Sequence, residues 1–130
     1  WKLENSNQKH KKHYGTLKTT KFSKVISLDK FLKEKKISKK ILIKCDVDGN
    51  ELDVFKSGKK FIKKHKPYVI MELAPYLYPE FGYDVNKLLN LLKEYNYKFY
   101  DAKNYSEIKN IYRYAKNISD GSSENIFLKW

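Results

Sequence analysis

The sequence predicts an α/β fold in which helices flank a mostly parallel sheet. Two observations carry that prediction. Short apolar, β-branched runs recur at 40–46 ("KILIKCD") and 68–73 ("YVIMEL"); runs apolar on both sides of the chain mark strands buried on both faces, as in parallel sheets. Helical periodicity separates them, so strand, helix, strand, helix and strand follow one another at the spacing of crossover units. Aromatic residues make up 15% of the chain and supply the burial that lets 130 residues form one domain despite 33% charged residues.

Each element has its own signal. Residues 1–23 are polar and Lys-rich without sustained periodicity and read as a loop or arm, which leaves 24–130 as the domain. His10 and His13 in "HKKHYG" have no acidic or Cys neighbours to complete a metal site and read as solvated. "SKVISLDKFLKEKKI" predicts a strand at 24–28 and a short helix opened by Asp29, whose carboxylate can accept free backbone N–H groups. After strand 40–46, Gly49 and Asn50 make a turn. "ELDVFKSGKKFIKKH" is helical, with Leu52, Phe55, Phe61 and Ile62 inward and a break at Gly58. Pro67 ends that element before strand 68–73, and "APYLYPEFGY" is a loop. From Asp84, "DVNKLLNLLKEYN" is the clearest amphipathic helix, burying Leu88, Leu91, Leu92 and Tyr95. A third strand follows at 97–102, a weaker helix within 106–118, and a closing strand in "ENIFLKW".

The net charge is +13, from 28 basic and 15 acidic residues. Such a charge invites a nucleic-acid or anionic-membrane partner. Arg113 is the one arginine, however, and the abundance of Lys, Asn, Ile and Tyr is that of A/T-rich codons. Lysine is a point charge, poorer than arginine at forked recognition of phosphates or bases. A nucleic-acid partner is therefore not expected, and a basic, non-enzymatic module stands as an alternative reading. No apolar run is long enough to span a membrane and no apolar signal core opens the chain, so a cytoplasmic location is expected. The chain starts at Trp1 rather than Met, which suggests a piece of a longer protein. Cys45, the single cysteine, reads as a small buried side chain.

The stretch "DVDGNE" at 46–51 concentrates the candidate chemistry. It is not a calcium loop: the sixth position is Glu51 where that loop needs Gly, and the twelfth is Ser57 where it needs Glu. In open parallel sheets ligands bind outside the carboxyl ends of the strands, and Asp46 and Glu72 fall at such ends. Asp-x-Asp after an apolar strand also fits a metal-dependent glycosyltransferase, with Asp46 and Asp48 on the cation. That three-residue pattern leaves Gly49, Glu51, Gly58 and the Pro67–Glu72 strand unexplained.

"LIKCDVDGNELDVFKSG" followed by "KPYVIMEL" resembles the FkbM family of S-adenosylmethionine-dependent methyltransferases. The family's Lys-x-Asp-x-acid-Gly-x-Glu block falls on Lys44, Asp46, Asp48, Gly49 and Glu51. Gly58 then ends a short helix, and a strand runs from Pro67 to Glu72. Leu28 and Asp29 in the upstream "VISLDKFL", Tyr97 before the third strand and the terminal "ENIFLKW" also match. The resemblance covers roughly 24–130 and implies the C-terminal part of a Rossmann-like methyltransferase fold. It also implies S-adenosyl-L-methionine as cofactor and O-methylation of a hydroxyl on a sugar, glycan or secondary metabolite. The family's Gly-rich cofactor turn has no counterpart here, since the glycines are scattered at 15, 49, 58, 82 and 121; the fragment alone is expected to be inactive.

On this reading Asp46 and Glu72 are the catalytic candidates, with a turn-forming role for Asp46 and an ion-pair role for Glu72 as the structural alternatives. Lys44, Asp48 and Glu51 are substrate-side candidates, with no metal among them; Asp48 and Glu51 could equally serve as caps at a helix N-terminus. Lys44, in an apolar strand, is expected to pair with Glu72 or Glu51. Strands 40–46 and 68–73 should be parallel neighbours, opening Asp46 and Glu72 toward one crevice.

Overall fold

The computed structural model describes residues 3–9, 16–20, 26–33, 35, 37 and 39–130. Strands β1 (Leu3–Lys9) and β2 (Thr16–Thr20) pair antiparallel, Leu3 opposite Thr20 and Lys9 opposite Thr16, with an irregularity between Asn5 and Lys9. The expectation of a loop over 1–23 is corrected at these two strands. Neither "LENSNQK" nor "TLKTT" alternates apolar with polar residues, so a ribbon of this kind carries no periodic signal. His10 and His13 lie outside the described residues.

Helix α1 spans Leu28–Lys33. The predicted strand at 24–28 is not found over its described part: residues 26 and 27 are irregular and α1 has begun by Leu28, while 24 and 25 lie outside the described residues. Ser27 opens α1, its Oγ accepting the Lys30 N–H at 3.2 Å. Asp29 acts elsewhere. Its carboxylate reaches 32 residues along the chain, accepting the Phe61 N–H at 2.8 Å and the Lys60 N–H at 3.2 Å. It thus satisfies the free donors at the start of α3 (Lys59–His65). Helix α2 (Glu51–Ser57) precedes α3, with Gly58 between them as expected. A Cβ on Gly58 would press into the side chain of Leu28, so glycine lets α1 approach the α2–α3 corner.

The main sheet contains β3 (Leu42–Cys45), β4 (Tyr68–Leu73), β5 (Lys98–Asp101) and β6 (Glu124–Lys129) in the order β3-β4-β6-β5. The β3–β4 pair is parallel, with Lys44 opposite Ile70 and Cys45 opposite Met71. The other two pairs are antiparallel, because β6 enters reversed between β4 and β5. The sheet is therefore mixed α/β and not mostly parallel. The closing strand alternates, Ile126 and Leu128 buried while Asn125 and Phe127 are not, as a sheet with one wetter face requires.

β4 alternates likewise, with Val69, Met71 and Leu73 fully buried and Tyr68, Ile70 and Glu72 half-buried. The buried face joins α2, α3, α4 (Val85–Glu94) and α5 (Ile111–Lys116) in one core. Helix α4 starts at Asp84 as expected, and Asp84 caps it, accepting the Lys87 N–H at 2.9 Å. Inside α4 the deepest residues are Leu88, Leu89 and Leu92; Leu91, expected inward, is half-buried, and Tyr95 beyond its end is buried. Two buried tyrosines tie the core to backbone: Tyr95 donates to the Phe55 carbonyl at 3.2 Å and Tyr97 to the Pro67 carbonyl at 2.9 Å. The other sheet face carries the cluster of Tyr68, Tyr100 and Tyr105 around Phe127, with centroid distances of 5.8, 6.4 and 6.2 Å.

Candidate functional site

Side chains alternate across a strand, so the parallel register of β3 and β4 puts Lys44, Ile70 and Glu72 on the less buried sheet face. Asp46, two residues after Lys44, emerges on the same side just beyond the strand. The carboxyl ends of the two strands are adjacent, and one carboxylate oxygen from each of Asp46, Asp48 and Glu72 lies within 4.8 Å of the others. The sequence expectation that Asp46 and Glu72 lie close together at the same edge of the sheet is met. Lys44 departs from its expectation. It pairs with Asp46 rather than Glu72 or Glu51, Nζ to Oδ2 at 2.6 Å, and both side chains are about half exposed. The cost of a lone buried ammonium never arises, because β3 is the edge strand of this sheet and Lys44 reaches solvent.

These contacts set the charge states. The Lys44 ammonium, and after it a hydrogen bond with Glu72, hold the Asp46 carboxyl below the usual carboxylate range. Glu72 Oε1 accepts the Ser123 hydroxyl at 2.6 Å. Ser123 was invisible to sequence reasoning because it comes from the turn before β6. The antiparallel register, with Leu73 opposite Glu124, brings it to the end of β4.

The loop carrying Asp46 and Asp48 is fixed from several sides. Asp48 and Gly49 both have positive φ, 48° and 98°, a conformation that glycine adopts without Cβ strain. A Cβ on Gly49 would also collide with the Phe81 ring. The Tyr83 hydroxyl donates to the Gly49 carbonyl at 2.6 Å and Asn50 Nδ2 to the Val47 carbonyl at 3.1 Å. Glu51 closes the loop from beneath, its Oε1 accepting the Val47 N–H at 3.2 Å. Glu51 is 2% exposed and its Oε2 has no hydrogen-bond partner among the described residues. Burial pushes its carboxyl above the ordinary value, against the hydrogen bonds it accepts. Glu51 is thus an internal brace of the loop, and Asp48 is exposed at its tip.

Three converging carboxylates can hold a hard divalent cation or accept protons from hydroxyl groups. In this arrangement the Lys44 ammonium already occupies one oxygen of Asp46 and the Ser123 hydroxyl one of Glu72. Cys45, next to Asp46, is buried, and its thiol is pushed up to about 12, chiefly by desolvation and then by the charges of Glu51 and Asp46. It is no nucleophile at neutral pH.

A cleft of about 590 Å³ opens beside this end of the sheet, lined in part by Pro75, Tyr76, Asn86, Arg113 and Asp120. Tyr76 links the two regions. Its hydroxyl is raised first by burial and then by the charges of Glu72, Asp48, Glu80 and Asp120.

No curated protein and no solved structure matches the chain. A family model described as the Methyltransferase FkbM domain does match, over residues 2–99, which takes in β1 and β2 as well as the carboxylate-bearing loop and β4. The chain therefore belongs to the FkbM methyltransferase domain family.

Proposed function

We propose that the protein transfers a methyl group from S-adenosylmethionine to a hydroxyl of a polyhydroxylated acceptor such as a sugar or glycan, with Asp46 as the proton acceptor. The observation that carries this reading is the gathering of Asp46, Asp48 and Glu72 at adjacent strand ends, beside a cleft whose walls mix aromatic, amide and charged side chains. Tyr76 supplies an aromatic surface, and Asn86, Arg113 and Asp120 supply the donors and acceptors that a polyhydroxylated ligand requires.

The cofactor would supply an electrophilic methyl on a sulfonium. Among the described residues no glycine-rich turn follows a strand to receive its nucleoside. Gly49 is buried under Phe81 and its carbonyl is taken by Tyr83. The described residues do not form a nucleoside site, so their roles are on the acceptor side. Asp46, ionised at neutral pH, would accept the proton of the acceptor hydroxyl. Lys44 fixes its direction. Glu72, anchored by Ser123, orients a neighbouring hydroxyl, and Asp48 borders the entrance.

The test is methyl transfer from radiolabelled donor to a panel of polyols and glycans, run on the full-length enzyme that carries these residues. Asp46→Asn should lower turnover by about 10²- to 10⁴-fold, the usual worth of a positioned base, with an unchanged melting midpoint. Equal turnover would leave Asp46 a turn residue only.

A further inference from the structure

A second cleft, of about 660 Å³, lies between α1 and α3 and shares no residue with the carboxylate site. Lys30, Lys33, Lys35, Lys60 and Lys64 line it, and none of these ammonium groups is ion-paired with a described residue. Asp29 also lines it, half-buried, with its carboxylate engaged by the Phe61 and Lys60 N–H groups. Leu32 and Phe61 add apolar surface to the lining. At its border, Ile26 precedes the lining residue Ser27, and Phe31 lies under Lys35, whose Nζ is 5.8 Å from its ring centroid; the two apolar side chains are 46% and 49% exposed. A large aliphatic and an aromatic side chain are thus half exposed next to lysines that have no carboxylate partner among the described residues.

We propose that this α1–α3 face docks the protein on an anionic lipid bilayer. Lysine ammonium groups are point charges, suited to a diffuse negative surface and less so to forked phosphate or base recognition. Ile26 and Phe31 enter the headgroup–acyl boundary, where apolar side chains gain burial that a duplex nucleic acid would not provide. No helix among the described residues is long and apolar enough to cross a membrane; the docking is peripheral. The inference rests on charge complementarity with exposed apolar groups and is independent of the methyltransferase reading.

The experiment is co-sedimentation of the protein with phosphatidylcholine vesicles, with and without phosphatidylserine. Binding should require phosphatidylserine and be lost in 0.5 M salt. With each lysine near such a surface worth about fivefold, Lys60→Glu/Lys64→Glu should weaken binding by at least tenfold. Phe31→Ser, which leaves every charge in place, should weaken it severalfold. The charge-matched control Lys98→Glu/Lys109→Glu, on exposed lysines elsewhere, should stay within twofold of wild type. Loss of binding in the control equal to that in Lys60→Glu/Lys64→Glu would overturn the proposal in favour of net charge alone. So would full binding by Phe31→Ser, or equally tight binding to single-stranded DNA with no preference for vesicles.

Discussion

At Glu51 a carboxyl group sits 2% exposed with one oxygen on the Val47 N–H and the other without a partner among the described residues. Burial raises its proton affinity in the folded protein, so the native state holds this proton more tightly than the unfolded chain does. Stability from Glu51 is then complete below the ordinary carboxyl range and falls as pH rises through the raised value. Glu51→Gln removes that titration. The stability advantage of wild type over the variant should shrink as pH increases from about 3 to 8, the span around and above ordinary carboxyl values. Urea midpoints across that range would test it. Parallel curves for the two proteins would show that Glu51 titrates normally and braces the loop only as an ion. Asp46 behaves in the opposite sense, since Lys44 lowers its value. Its ionised form is retained to lower pH, which keeps it available as an acceptor at neutral pH while making it a weaker base than an unpaired carboxylate.

Among the elements, the turn from β3 into α2 depends on glycine for two separable reasons, backbone sign and the Phe81 ring. Gly49→Ala meets both and should cost about 2–4 kcal/mol, positive-φ strain plus overpacking. Gly121 has a similar φ of 75° but open space around it, so Gly121→Ala should cost about 1 kcal/mol from strain alone. Equal urea-midpoint losses for the two variants would remove the ring contact from the account. This turn was legible in the sequence, because Gly and Asn after an apolar strand signal a sharp reversal. So were the break at Gly58, the start of α4 at Asp84 and the parallel neighbours β3 and β4, each specified by residues close in the chain. Contacts set by long-range register were not. Asp29 reads as a local cap and caps a helix 31 residues away; Ser123 reaches Glu72 across 51 residues. Lys44 was assigned to Glu72 on the premise of a buried strand, and the edge position of β3 gives it Asp46 and water instead.

At the scale of the whole molecule the described core lies on one face of the main sheet. The opposite face keeps Tyr68, Ile70 and Phe127 half-buried, with Leu42 60% and Tyr105 70% exposed. β3 is also a terminal strand, pairing with β4 on one side and with no described strand on the other. An open edge beside an apolar face favours strand addition. For this 130-residue chain we expect concentration-dependent association, visible as a rising weight-average mass in sedimentation equilibrium. Leu42 should be central to it, since it lies on the edge strand and faces the open side through its register with Tyr68. Leu42→Lys adds a charge to that edge and removes an exposed apolar side chain, so it should shift the equilibrium to monomer with little loss of stability. The effect should persist in 0.5 M salt, which separates it from the lysine-dependent surface at α1 and α3. A wild-type chain that remains monomeric at high concentration would mean that the open face and edge of β3 are compatible with solvent as they stand.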